Sequence, residues 1–222
     1  MQDPFSIQKL INDQIASERT PRLPQSWSPS KLGSCLCGVY LERLGVKPDE
    51  DFDDRTLRVF KVGKMFEDWV VELVRKQSTN IETQVEFRWE EYDVHGFVDL
   101  VVDKKLIYEI KSKHSKAFWY MDKKKEGANQ HHKEQVWVYM KCLNIPESRI
   151  IYLSKDDLAI LEYPIFLDDK ELEQSVISQL EILNKAWKEK VPPAPVQDPK
   201  DWRATYCRWH KTCLSQEKYL DL

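Results

Sequence analysis

The spacing of hydrophobic and polar residues predicts helices that alternate with one group of strands. Apolar residues at helical intervals predict a helix over residues 5–17 and a longer one over residues 56–76. From Val85 to Trp89 the period changes to two, as on a half-buried strand. The other predicted elements are a helix starting at residues 28–30, two strands within residues 96–113, a helix over residues 133–143, a hairpin over residues 150–163 and a helix from Asp168 or Asp169 to about residue 190. Helices therefore flank one central sheet, and the predicted fold class is α/β.

Composition narrows the class of protein without naming a function. The chain has 222 residues, of which 41% are hydrophobic and 32% charged, as expected for one globular domain over residues 1–222. Its net charge of −3 does not indicate a nucleic-acid partner, so only a local basic patch could do so. No apolar run approaches the ~20 residues of a membrane span, and the first ten residues lack the pattern of a signal peptide. We therefore expect an intracellular protein whose five cysteines are metal ligands or core thiols rather than disulfides.

An apolar hairpin carries two acids and a lysine in the stretch GFVDLVVDKKLIYEIKSK, residues 96–113. A three-residue loop at residues 103–105 would pair Val102 with Leu106. Asp99 would then lie opposite Glu109, and like charges repel across a ladder. A divalent cation that takes oxygen ligands removes this conflict, so the hairpin predicts a Mg²⁺ or Mn²⁺ site with Lys111 about 7 Å further along the strand. The alternative is an edge hairpin whose charged face is solvated.

Four segments resemble a known nuclease superfamily. Asp99, nine intervening residues and then Glu109-Ile110-Lys111 resemble the core motif of the PD-(D/E)XK nucleases. Three further segments resemble the RecB-like branch, which includes the CRISPR-associated RecB-like exonuclease and phage exonucleases: GKMFE at 63–67, QVWVY at 135–139 and SPSKLGSCLCGVYLERLG at 28–45. The resemblance implies a restriction-endonuclease-like core, in which helices flank a central mixed β-sheet.

The resemblance also implies a role for each matched residue around a Mg²⁺ or Mn²⁺ ion. The metal ligands that it implies are Glu67, Asp99, Glu109 and the backbone carbonyl of Ile110. The catalytic residues that it implies are Asp99, Glu109, Lys111, Gln135 and Tyr139. Lys111 would help to activate the attacking water or stabilise the developing charge, while Gln135 and Tyr139 share one helix face near the active centre. Without the motifs, Glu67 would be a solvated helix acid, and Gln135 and Tyr139 would belong to an ordinary amphipathic helix.

A basic segment with interleaved aromatic residues follows the predicted site. Residues 111–133 contain seven lysines and two acids. Lysines follow a phosphate backbone and aromatic rings stack on unpaired bases, so this segment is predicted to rim a channel for single-stranded DNA. The predicted DNA-binding residues are Lys113, Lys116, Trp119, Tyr120, Lys123, Lys124 and Lys125. The alternative is a solvated lysine loop over a few packed aromatic side chains.

Cysteines in two distant segments form a second candidate site. The segment WRATYCRWHKTC at 202–213 resembles the tail of RecB-like exonucleases that hold an iron–sulfur cluster, although Ala204 replaces the first tail cysteine. The candidate ligands are Cys35, Cys37, Cys207 and Cys213, with His210 as an alternative. Four thiolates suit a [4Fe–4S] cluster or Zn²⁺, and the remaining interpretation is a metal-free remnant whose thiols pack. Residues 28–45 and 202–213 are thus predicted to form a small cysteine lobe that joins the N- and C-terminal segments, whereas Cys142 is expected to be a core thiol.

The resemblance implies a divalent-metal-dependent DNA exonuclease. Its substrate would be single-stranded DNA or a DNA end, and its partner proteins would belong to recombination, repair or CRISPR systems. We expect a cytoplasmic protein of prokaryotic or viral origin with no membrane association. Two alternatives use the same fold, namely a non-catalytic nucleic-acid-binding module and a sequence-specific endonuclease. The complete acid, acid and lysine set argues against the first, and the Gln-x-x-x-Tyr helix and the cysteine tail argue against the second.

Overall fold

The computed structural model describes residues 6–18 and 23–215, and the predicted start of the first helix at residue 5 lies outside them. The helices are α1 (Ile7–Ser17), α2 (Leu36–Leu44), α3 (Asp54–Gln77), α4 (Ser115–Lys124), α5 (Gln130–Leu143), α6 (Lys170–Glu189), α7 (Trp202–Thr205) and α8 (His210–Ser215). The strands are β1 (Ile81–Trp89), β2 (Val94–Val102), β3 (Leu106–Lys113), β4 (Glu147–Ser154) and β5 (Ile160–Phe166). Short 3-10 turns lie at Pro29–Lys31 and Glu90–Tyr92.

The five strands form one mixed sheet in the order β1-β2-β3-β4-β5. Neighbouring strands are antiparallel except for β3 and β4, which run parallel. Parallel neighbours need a crossover connection, and α4 and α5 provide it. The carboxyl ends of β3 and β4 therefore lie at the same edge of the sheet. This arrangement confirms the predicted α/β class with a central mixed sheet flanked by helices.

Helices cover both faces of the sheet, and successive residues of β3 face alternate layers. Ile107 belongs to the main core with residues of α2, α5 and α6, so Glu109 and Lys111 project towards that layer. Ile110 belongs to a second core, which α3 covers through Val71. The charged residues of β3 therefore lie on the same side of the sheet as α5.

Local signals account for several helix ends. Asp53 caps α3 and Asp169 caps α6, because each carboxylate accepts a hydrogen bond from a first-turn backbone N–H. Helix α2 ends at Gly45, whose φ of +82° is the left-handed conformation that glycine adopts most readily. The starts of α3 and α6 agree to within a few residues with the predicted starts at residue 56 and at Asp168 or Asp169.

Two segments differ from the predicted elements. Residues 28–30 begin a 3-10 turn instead of an α-helix, because Gly33 redirects the chain with a φ of +76° before α2 begins at Leu36. Helix α4 has no counterpart among the predicted elements, because its buried residues are only Phe118 and Met121 and charged residues dominate the rest. Among the described helices, none is both long and apolar enough to cross a membrane.

Candidate active site

One cleft of about 430 Å³ brings together the residues that the sequence predicts around a metal ion. Strands β2 and β3, helices α3 and α5 and the turn at residues 28–30 all contribute to its walls. The predicted residues that line it are Glu67, Asp99, Glu109, Ile110, Lys111, Gln135 and Tyr139. All the predicted metal ligands and catalytic residues therefore share one cleft, although they come from four separate elements.

The register of the β2–β3 hairpin brings the two acids opposite each other. Val102 pairs with Leu106, as a three-residue loop requires, and each further pair follows from this one. The ladder ends one residue before Asp99 and Glu109, which are the next opposite positions. The two strands therefore stop pairing where like charges would meet, which leaves room between the carboxylates.

Glu109 is fully buried and held from two sides. Its Oε1 pairs with Nζ of Lys111 and accepts a 2.9 Å hydrogen bond from Nε2 of Gln135. The same Nε2 donates to the hydroxyl of Tyr139 at 2.6 Å, one helical turn away on α5. The other oxygen, Oε2, is buried without a hydrogen-bond partner in the described part of the chain. A buried carboxylate oxygen without a partner is costly, so this atom fits a cation that the polypeptide itself does not supply.

Asp99 lies in a region of surplus negative charge. Burial, together with repulsion from Glu109 and Glu67, raises the pKa of Asp99 to about 7. Burial alone would lower the pKa of Lys111, but attraction from the three carboxylates outweighs it and the pKa is raised. Three carboxylates thus meet Lys111 in one cleft, and this imbalance favours a divalent cation.

Glu67 enters the cleft from α3, on the other side of the sheet. Its side chain is 18% exposed and pairs with Lys64 at 2.7 Å, so it is not the fully solvated helix acid of the alternative interpretation. Oxygens of Glu67, Asp99 and Glu109 do not all come within 4.8 Å of one another in residues 6–18 and 23–215. Mg²⁺ is usually bound through one or two carboxylates with water completing the shell, so Asp99, Glu109 and the carbonyl of Ile110 are a donor set of the right kind.

Gln84 belongs to the site although no motif includes it. Its Nε2 donates a 3.4 Å hydrogen bond to Oδ1 of Asp99. The β1–β2 ladder skips Gln84, whose φ is +52°, while Thr83 and Val85 on either side remain paired. A positive φ is unusual for a residue other than glycine, and such residues are enriched at functional sites. Strand periodicity carries no signal for this local break, so the sequence analysis missed Gln84.

The basic segment forms helix α4 and the wall of a second cleft of about 710 Å³. The predicted DNA-binding residues that line this cleft are Lys113, Lys116, Trp119, Tyr120 and Lys123. Lys124 instead lies 5.6 Å from the ring of Tyr120, and Lys125 ends α4 in the left-handed conformation. Trp119 and Tyr120 expose 46% and 57% of their surface, whereas Phe118 is buried. The structure therefore brings five of the seven predicted residues together and places two of them beside the cleft.

Three of the predicted cysteine ligands converge at the N-terminus of α2. The sulfur atoms of Cys35, Cys207 and Cys213 lie within 4.8 Å of one another. Hydrogen bonds from Cys207 and Cys213 lower the pKa of Cys35 to about 2, and backbone N–H groups add to this effect. Contacts with Cys207, Cys35 and Cys37 raise the pKa of Cys213, which places the buried Cys37 beside the same group. The two segments of the cysteine lobe therefore meet, and their soft sulfur ligands fit Zn²⁺ or an iron–sulfur cluster.

The close approach of these sulfur atoms depends on a glycine. A Cβ atom on Gly38 would lie 2.6 Å from Sγ of Cys207, which is closer than atoms can pack. Ala204, at the missing tail cysteine, is buried with 2% of its surface exposed. His210 lies outside the sulfur group, and its buried Nδ1 has no partner among the described residues. Cys142 packs against the main core, and burial raises its pKa to about 12, as expected for a core thiol.

The mixed sheet, with helices on both faces and paired acids on a hairpin, gives this chain the fold of solved exonuclease structures, as its resemblance to the RecB-like PD-(D/E)XK nucleases predicted. Among solved structures, the chain is similar to the protein SSO0001, with a TM-score of 0.61 and 18% identity over 96% of this chain and 98% of that one. It is also similar to the alkaline exonuclease LHK-Exo from Laribacter hongkongensis, with a TM-score of 0.54 and 14% identity over 80% of this chain and 97% of that one. The complex of LHK-Exo with dAMP gives a TM-score of 0.53 and 17% identity over 74% and 92% of the two chains. No protein-family model matches the sequence, and the search of curated proteins finds no match, so the likeness is one of fold.

Proposed function

We propose that the chain is a divalent-metal-dependent deoxyribonuclease that acts as an exonuclease on single-stranded DNA or DNA ends. The observation that carries the proposal is the cleft in which buried Glu109 keeps one oxygen without a partner beside Asp99 and Lys111. The name of one structural neighbour, an alkaline exonuclease, supports the same class. A non-catalytic binding module has no need of two carboxylates that repel each other in a partly buried place.

The proposed metal ligands are Asp99, Glu109 and the carbonyl of Ile110, with Glu67 as a further acid in the same cleft. A Mg²⁺ or Mn²⁺ ion bound there would lower the pKa of its bound water and neutralise charge on phosphate oxygens. Gln84 and Gln135 position the two acids, because each donates a hydrogen bond to one carboxylate oxygen. Each acid is thereby fixed at one oxygen, and Oε2 of Glu109 stays available for an ion.

Lys111 and Tyr139 have roles that follow from their protonation. The pKa of Lys111 is raised, since the attraction of nearby carboxylates outweighs burial, so its ammonium group stays charged at neutral pH. A fixed positive charge at this position stabilises negative charge that develops on the phosphate during attack. Burial and the charge of Glu109 raise the pKa of Tyr139 well above its ordinary value, so its hydroxyl keeps its proton. Tyr139 therefore orients Gln135 and does not act as a base.

The α4 cleft is the proposed contact for the DNA strand next to the active site. Lys113 lies 4.9 Å from the ring of Tyr152 and has no carboxylate within 4 Å among the described residues. Burial lowers the pKa of Lys113, which a phosphate group in the cleft would counteract. Exposed Trp119 and Tyr120 offer faces for unpaired bases.

The cysteine lobe is proposed to bind a structural metal through Cys35, Cys37, Cys207 and Cys213, either a [4Fe–4S] cluster or Zn²⁺. The convergence of three sulfur atoms from two distant segments supports this assignment. The lobe lies outside the acidic cleft, so its metal would stabilise the fold rather than take part in hydrolysis.

The test of nuclease function compares linear end-labelled and circular single-stranded DNA, with and without Mn²⁺. We expect the linear strand to be degraded only with metal, and the circle to survive. Asp99→Asn and Lys111→Ala should each slow cleavage about 100-fold or more. Asp103→Asn removes an exposed carboxylate from the turn of the same hairpin and should leave the rate unchanged. Full activity in either cleft variant would refute the assignment, and cutting of the circle would refute the exonuclease mode.

A further inference from the structure

A cleft of about 970 Å³ lies between the first turns of α3 and the tail and is not part of the acidic site. We call it the tail cleft. It is formed by residues 49–60, by the carboxyl ends of β3 and β4, and by residues 199–211. The cysteine tail supplies one of its walls, but no single motif predicts the cleft, because its walls come from three distant parts of the chain.

The tail cleft continues directly from the active site along two elements. Ser112 near the end of β3 and His114 just after it line the tail cleft, and they follow Lys111 by about 3 and 10 Å of extended chain. On α3, Phe60 lines the tail cleft and Glu67 the acidic site, about two helical turns apart. A strand bound across the acidic site can therefore reach the tail cleft within a few nucleotides.

The acidic residues of the tail cleft are already bonded to groups of the tail. Asp49 accepts a hydrogen bond from the backbone N–H of Lys211 at 2.8 Å. Glu50 pairs with Nζ of Lys211 at 3.0 Å, and Asp51 pairs with Arg208 at 3.0 Å. These contacts leave little free negative charge to repel a phosphate.

Two cations of the tail cleft form no ion pair with the described residues. Neither Arg55 nor Lys155 has a carboxylate within 4 Å in residues 6–18 and 23–215, although Asp53 interacts with Arg55 at longer range. Burial lowers the pKa of Lys155, and an anion bound in the cleft would counteract this effect. Two cations that line one cleft without an ion pair favour the binding of phosphate groups.

Aromatic side chains in the tail cleft indicate which form of nucleic acid it fits. Tyr206 exposes 80% of its surface and Phe60 exposes 52%. Phe60 is held in place by an edge contact with Phe52, with ring centroids 5.1 Å apart. Exposed rings offer stacking faces to bases, and only unpaired bases have a free face to give. The combination of cations and exposed rings therefore matches a single strand better than a duplex.

We propose that the tail cleft binds the single-stranded flank of the DNA that the acidic site cleaves. Arg55 and Lys155 contact its phosphates, and Tyr206 stacks on one of its bases. This inference rests on the proposed nuclease function and adds to it a second contact surface for the unpaired strand and the path of that strand past the cysteine lobe.

The test measures binding of a fluorescein-labelled dT20 strand to the full chain by anisotropy, in an Asp99→Ala background that prevents cleavage. Adding Arg55→Glu and Lys155→Glu should weaken binding about 10-fold or more and reduce the slope against salt by about 1.4, since about 0.7 is lost for each phosphate contact. The matched control reverses Lys185 and Lys188, two exposed lysines of α6 outside the cleft. Equal affinity and salt slope in the two double variants would overturn the proposal.

A second comparison isolates stacking from charge. Tyr206→Ala should weaken dT20 binding about 5-fold or more, while Tyr206→Phe keeps the ring and should bind like the parent. Neither change should alter binding of a blunt duplex of the same length, and an equal loss for the duplex would overturn the single-strand assignment. Wild-type protein that binds dT20 in the tail cleft but cleaves no DNA would refute the nuclease function alone. Cleavage by the wild type with unchanged binding in all cleft variants would refute this inference alone.

Discussion

The acidic cleft should make the metal-free protein less stable than a variant that lacks one of its charges. Ionised Asp99 is partly buried and repelled by Glu109 and Glu67, so the folded state resists its ionisation. Asp99→Asn keeps the size and shape of the side chain and removes the charge. We therefore expect the variant to unfold at higher urea concentration than the wild type when no divalent ion is present, although the proposed nuclease activity should be lost.

The magnitude and its pH dependence follow from the pKa of Asp99, which is 3.8 in its ordinary state and about 7 in the fold. Between these two pH values, Asp99 holds a proton in the folded state that it has lost in the unfolded chain. The free energy of unfolding therefore falls as the pH rises, by about 1.4 kcal/mol per pH unit. The full effect is present above pH 7 and reaches about 4 kcal/mol. Below pH 4 both states are protonated, and the difference between wild type and variant should vanish.

The assay is urea unfolding followed by circular dichroism from pH 4 to pH 8.5, after removal of divalent ions. Only the difference between wild type and variant is interpreted, because all other titrating groups are common to both. Mn²⁺ should stabilise the wild type more than the variant and so reduce the difference. The reasoning would be refuted if Asp99→Asn were less stable than wild type at pH 8, or if the difference were constant over the pH range. Asp103→Asn should show no such trend.

Two further predictions concern packing away from the acidic cleft. Gly38→Ala should lower the free energy of unfolding by about 1–3 kcal/mol and also lower the Zn or Fe content of the purified protein, because its Cβ would lie 2.6 Å from Sγ of Cys207. The control Gly63→Ala should leave both quantities unchanged, because its Cβ would meet Oγ of Ser112 at 3.6 Å. An unchanged metal content in Gly38→Ala would contradict the role of this glycine. Arg43→Lys should lower the free energy of unfolding by about 2 kcal/mol, because the buried guanidinium lies 4.2 Å from the ring centroids of both Trp27 and Trp187 and a lysine cannot stack between them. Arg149→Lys, in exposed ion pairs with Glu147 and Glu162, should leave stability almost unchanged, and an equal loss in both variants would argue against the stacking.

Elements whose signals are local in the chain could be predicted from the sequence. The opposition of Asp99 and Glu109 followed from counting the turn, because strand pairing is fixed once one pair is known. The cap at Asp169 was readable, because a carboxylate before an apolar helical run satisfies first-turn N–H groups. The shared face of Gln135 and Tyr139 followed from helix geometry, and their hydrogen bond agrees with it.

Features that depend on tertiary packing could not be predicted in this way. Glu67 was expected in the acidic cleft from the resemblance alone, because it reaches the cleft through the packing of α3 across the sheet and its own helix gives no sign of that contact. Gln84 turns towards Asp99 through a backbone conformation that its residue type does not favour. The grouping of the cysteines was expected from the resemblance alone, since the spacing of Cys35 and Cys207 along the chain says nothing about their distance. The tail cleft combines three distant segments and has no signature in any of them.

The sulfur group at the start of α2 has a consequence for the order of folding. Cys35 and Cys207 are separated by about 170 residues, and all five strands lie between them. During translation the segment with Cys35 is therefore made long before the segment with Cys207. Closing so long a loop is entropically unfavourable until the sheet has brought the two segments together. Metal capture by Cys35, Cys207 and Cys213 would then be one of the last events of folding. A loaded cysteine site would report that the whole sheet and the helices around it have formed.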